Sequence, residues 1–77
     1  MLIYSQDRKT VTDCLTISVA KNFGAGRDRK YALVAMAGYG ATVNSGVVGV
    51  YPDEKTAMDE LEKIFAAFES GAKSYRL

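Results

Sequence analysis

Histidine is absent from this chain of 77 residues, and cysteine and proline occur once each. No apolar run approaches the roughly 18 to 20 residues of a membrane-spanning helix. Each absence narrows the chemistry. Without histidine the commonest general base at neutral pH is missing. Cys14 alone can form no intramolecular disulfide, and with no second cysteine and no histidine it cannot complete a soft metal site, so it reads as a small half-buried strand residue. The best remaining nucleophile and acids, Cys14, Asp13 and Asp7, have no activating base beside them, and a non-enzymatic protein without cofactor or metal is expected. The first residues lack the basic-then-apolar order of a secretion signal, which makes the cytoplasm the expected compartment.

The chain does have 48% hydrophobic content, enough for one small domain over residues 1–71 followed by a short tail over 72–77. A chain of this size buries only about 60% of its unfolded surface, so the core must be thin. The rest is organised around the stretch from Val47 to Phe68. In Gly46-Val-Val-Gly-Val-Tyr51 the β-branched residues occupy both faces of an extended segment, the pattern of an interior strand. Pro52 ends that strand and Asp53 comes next as a helix N-cap. Ala57, Met58, Leu61, Ile64, Phe65 and Phe68 then recur at three-and-four spacing, predicting a helix to about Ser70 with one buried stripe. Gly71 is the expected left-handed residue beyond its end.

Before this corner the chain reads as strands near residues 1–6, 10–21, 30–37 and 46–51. Leu15, Ile17 and Val19 alternate toward the core with Thr16 and Ser18 outward, and Val11 shares the inward parity. Asp13 also falls on that parity, which implies a bend or bulge. Lys30 to Ala37 is apolar on both parities and should be a central strand; its alanines make a helix the competing reading, and its short length and the glycines close behind it favour the strand. The expected fold class is therefore α+β: an antiparallel sheet of four or five strands, flat or curled, followed by one C-terminal helix on one face. Leu61, Ile64, Phe65 and Phe68 are its expected core contacts, facing Ile3, Ile17, Leu33 and Val48.

Residues 1–50 carry six Lys or Arg against three Asp, and residues 51–77 carry four against six acids. The strand region is thus the basic part of a chain whose net charge is only +1. Arg8, Lys9, Arg27, Arg29 and Lys30 should sit on hairpin tips, with Tyr39 exposed between two glycines; these six residues form the candidate partner or anion surface. The glycines at 24 and 26 beside Arg27 do not make a phosphate loop, because the residues after Arg29 read as strand and not as helix.

Met-Leu-Ile-Tyr-Ser-Gln-Asp at residues 1–7, and Val-Gly-Val-Tyr-Pro-Asp-Glu-Lys-Thr-Ala at 48–57 running into Leu61 and Ile64, resemble a set of short uncharacterised proteins of Gram-positive bacteria and their phages. Those open with a Ser-Gln-Asp hairpin and close with a Gly-x-Tyr strand and a capped helix. The resemblance covers the two ends; the segments 24–29 and 38–46 are longer than that pattern. It implies an antiparallel sheet with a C-terminal helix and brings no activity. With no catalytic constellation, the sequence favours an interaction or adaptor module that self-associates as a homodimer, since one helix covers only one face of a doubly apolar sheet. A nucleic-acid-binding accessory protein using the basic tips is the alternative, and the weak net charge counts against it.

Overall fold

The computed structural model describes residues 1–22, 26, 29–37 and 44–77. They form six strands and one helix in the order β1 (Leu2–Tyr4), β2 (Val11–Asp13), β3 (Thr16–Lys21), β4 (Tyr31–Ala37), β5 (Asn44–Tyr51), α1 (Glu54–Glu69) and β6 (Ser74–Arg76). The α+β class and the C-terminal helix packed on a sheet are as expected. The single sheet of four or five strands is not: there are two three-stranded sheets, ordered β2-β1-β6 and β3-β4-β5.

The division follows from a change of parity. Thr12 in β2 and Cys14 just after it turn inward, whereas Ile17 and Val19 turn inward in β3. Leu15 and Thr16, both exposed, supply the extra outward position. The long strand expected over 10–21 therefore breaks one residue after Asp13, and Val11 and Leu15 face water instead of the core. The halves stay linked at that corner, where Leu15 N–H donates to Met36 C=O at 2.8 Å.

β4 is the centre of its sheet, as its double apolarity required, with Ala32, Leu33 and Ala35 buried across both faces. Opposite it, β5 carries a bulge. Leu33 pairs with Gly49 and Val34 with Val47, which leaves Val48 between them without a partner on β4. The Val48 carbonyl accepts from Gln6 N–H at 2.7 Å. The Gln6 amide continues along the same edge, accepting from Val50 N–H at 2.8 Å and donating to Val50 C=O at 3.2 Å. A side chain thus completes the ladder that a strand would otherwise supply, and ties the β1–β2 turn to the β5 edge.

Both helix ends are built by local hydrogen bonding. The Asp53 carboxylate accepts from Thr56 N–H at 2.7 Å, and bonds from Thr56 hold that carboxyl below its ordinary range. At the other end Ala72 N–H donates to Ala67 C=O and Gly71 N–H to Phe68 C=O, with Gly71 at φ 91°, which is the Schellman arrangement. Only Ala57 and Ile64 of α1 are fully buried, joining Ile3, Leu33, Ala35, Val48 and Tyr51 in the core, with Leu61 and Ile17 packed at its margin.

Phe65 and Phe68 are not the core contacts the stripe implied: they are 56% and 60% exposed. Met58 and Phe65 each follow a buried residue by one position, which turns them about 100° from the core line. Phe68 shares the side of Ile64 but stands in the last turn, bordering a groove instead of filling the core. The segment expected as a tail carries β6, paired in parallel with β1 at Leu2–Ser74, Ile3–Tyr75 and Tyr4–Arg76. Tyr75 anchors it to the helix by donating to Glu60 Oε2 at 2.8 Å.

Candidate contact surface

The split sheet and the half-used apolar stripe leave a groove of about 470 Å³ between α1, strands β1 and β3 and the corner that joins β2 to β3. Ile3, Ile17 and Ile64 reach its lining from three elements, Leu15 and Cys14 stand at the corner between the sheets, and Phe65 and Phe68 stand on the helix side. Its walls are apolar apart from Glu62, and the phenylalanines beside it project into solvent. Met58, 42% exposed, extends their line toward the start of the helix.

The small residues of β4 and β5, which could admit a neighbouring subunit, are used within the chain. Ala32, Ala35 and Gly49 are buried. A Cβ on Gly49 would stand 2.7 Å from the Tyr51 hydroxyl, because the Tyr51 ring folds back over its neighbour two positions away on the same face. Gly46 alone of these faces open space.

Of the basic candidates, Arg8 and Lys9 lie on the β1–β2 turn, and Arg29 and Lys30 stand exposed just before β4. Gln6 bonds Val50, and Val50 pairs with Ala32, so both groups are brought to the same end of the β3-β4-β5 sheet. Arg27 and Tyr39 lie outside the described residues. The Ser5–Thr10 turn that carries Arg8 is tightly specified. Asp7 accepts from the buried Ser5 hydroxyl at 2.6 Å and from Lys9 N–H at 3.0 Å, which holds its carboxyl below the usual range. The Ser5 hydroxyl accepts in turn from Thr10 N–H at 3.1 Å.

Asp7 is thus occupied as a turn residue. Asp13 is exposed, with its carboxylate 3.3 Å from the Met1 amino group. Burial pushes the Cys14 thiol up, away from the reactive thiolate. Among the described residues no three His, Cys, Asp or Glu side chains converge as a metal-ligand set, and no helix is long and apolar enough to cross a membrane.

Two residues that the sequence did not single out stand beside Arg8. The Arg8 guanidinium lies 5.1 Å from the centre of the Tyr4 ring and that of Arg76 lies 5.6 Å from it. The signal that could have found them is the register of β6, which no local pattern discloses.

On the inner side, burial pushes Tyr51 up to about 12, with Glu60 adding to the effect, and burial together with the bond to Glu60 does the same for Tyr75. An unfolded tyrosine ionises near 10. Between pH 10 and 12 the unfolded chain therefore holds fewer protons than the folded one, and stability falls as pH rises through that window. The slope has a ceiling of about 1.4 kcal/mol per pH unit for one fully buried group, less for the partly exposed Tyr75. Thermal melts at pH 9 to 12 should show this decline, reduced in Tyr51→Phe; equal slopes for the two proteins would exclude Tyr51 as a source.

Comparison of the chain with protein-family models, with curated proteins and with solved structures finds no match.

Proposed function

We propose that this protein works by contact, as a non-enzymatic, self-associating interaction module of the cytoplasm whose α1 groove receives a second copy. The observation that carries the reading is the exposure of Phe65 and Phe68 beside an apolar groove on the same face. A two-fold interface needs one patch complementary to itself, and a projecting pair of rings next to a cleft meets that need: the rings of each copy fill the cleft of the other. At about 200 Å² per phenylalanine the exposed fractions leave on the order of 230 Å² of ring surface. Covering it contributes roughly 5 to 6 kcal/mol per copy before association entropy is subtracted. Leu15 and Met58 enlarge the patch.

Sedimentation equilibrium at micromolar concentration tests this. The expected mass is twice the 8.4 kDa of one chain, falling to that of one chain in the double variant Phe65→Ser, Phe68→Ser with its circular dichroism unchanged. A strict monomer at every concentration would overturn the proposal.

A further inference from the structure

We infer that Tyr4, Arg8 and Arg76 form a binding site for a phosphate group on the outer face of the β2-β1-β6 sheet. Two guanidinium groups from different elements converge on one ring, at 5.1 and 5.6 Å from its centre. Neither Arg8 nor Arg76 has a carboxylate within ion-pair distance among the described residues. Sharing one ring, they stand at most about 11 Å apart (5.1 plus 5.6 Å), and an oxyanion at the ring edge that accepts from both would offset their like charge with charge-assisted, forked hydrogen bonds.

The convergence is imposed by the fold. Parallel pairing places Arg76 directly beside Tyr4, and Leu77 N–H donating to Tyr4 C=O at 3.1 Å fixes that register. Arg8 is held from both sides of its backbone: its N–H donates to Ser5 C=O at 3.0 Å, and its C=O accepts from the Tyr4 hydroxyl at 3.3 Å. It is also the one non-glycine residue given a positive φ among the described residues, at 66°. Glycine or asparagine would adopt that conformation with less strain, so an arginine here runs against the local preference, as happens where a side chain serves a ligand. The nearby acids are differently placed: Asp7 bonds Ser5 and Lys9, and Asp13 lies by the Met1 amino group. At least one face of the Tyr4 ring is already covered by guanidinium, which favours recognition of phosphate over stacking of a base.

The test is a titration of ¹⁵N-labelled protein with sodium phosphate at constant ionic strength, balanced with chloride, reading the Nε–H resonances of Arg8 and Arg76. Both should move together and saturate with phosphate, and the apparent affinity should fall at least tenfold in Arg8→Gln and in Arg76→Gln. The circular dichroism of both variants should match the parent. Repeating the titration with a single-stranded oligonucleotide separates the sources. Oligonucleotide binding that needs the same two arginines assigns the site to nucleic-acid phosphate, and saturation by free phosphate alone assigns it to a small phosphate or its ester. Shifts that do not saturate, that chloride reproduces, or that survive in either folded variant would overturn the inference.

Discussion

Aspartate at position 64 should unfold this protein, whereas aspartate at the next position should leave it folded. Ile64 is 4% exposed and belongs to the same core cluster as Ile3, Leu33 and Val48. A carboxylate there would lose its hydration without gaining a partner, which costs about 4 to 5 kcal/mol or more. A domain this small has a total of roughly 5 to 10 kcal/mol, so little or none would remain. Phe65 is 56% exposed, and its replacement keeps the new charge in water, at a loss of about 1 kcal/mol of ring packing. Urea unfolding followed by circular dichroism, at a dilution where self-association is negligible, separates the two variants. Similar losses for Ile64→Asp and Phe65→Asp would show that the helix is rotated away from this orientation. The pair is informative because both residues belong to the same apolar stripe, and hydrophobicity alone would rank phenylalanine as the more damaging loss.

Gly49→Ala should destabilise the protein by about 1 to 3 kcal/mol, the range for overpacking a filled core. The new methyl would stand 2.7 Å from the Tyr51 hydroxyl and 3.1 Å from the nearest ring carbon, and the ring is buried among core side chains and cannot swing clear. Tyr51→Phe should act the other way. Its hydroxyl is buried with no hydrogen-bond partner among the described residues, and deleting an unsatisfied polar group is neutral or stabilising by about 1 to 2 kcal/mol. The two changes must therefore couple: without the hydroxyl the closest remaining contacts are 3.1 and 3.2 Å, which small adjustments relieve. A double-mutant cycle read by urea denaturation should give a smaller penalty for Gly49→Ala in the Tyr51→Phe background. Strict additivity would mean that the glycine serves the backbone and not the ring.

The helix and its ends were legible residue by residue. Pro52, Asp53, the three-and-four spacing and Gly71 all act through bonds that close within a few positions, so the chain order itself places the partners. Apolar residues on both parities marked strands covered on both faces, but only β4 is also central in its sheet; β5, with the same pattern and expected to be interior, is an edge strand whose outer side Gln6 bonds. The turn that Ser5 and Asp7 stabilise could also be read in sequence, but the cluster it serves could not: Arg76 reaches Tyr4 only through a parallel pairing of residues more than seventy positions apart.

The sequence by itself determined an α+β chain with one capped helix and an apolar stripe along it. Tertiary structure decided that only Ala57 and Ile64 of that stripe are fully buried, that the strand from Thr10 to Lys21 turns a corner after Cys14, and that the last residues make a sixth strand. The physical reason is the range of the interactions. A helix satisfies its backbone within itself and declares its boundaries locally, whereas a strand is completed by whichever distant segment brings its unpaired N–H and C=O groups into register. The spacing of apolar residues states how wide the apolar face is; it does not state how much of that face the rest of a thin core can cover.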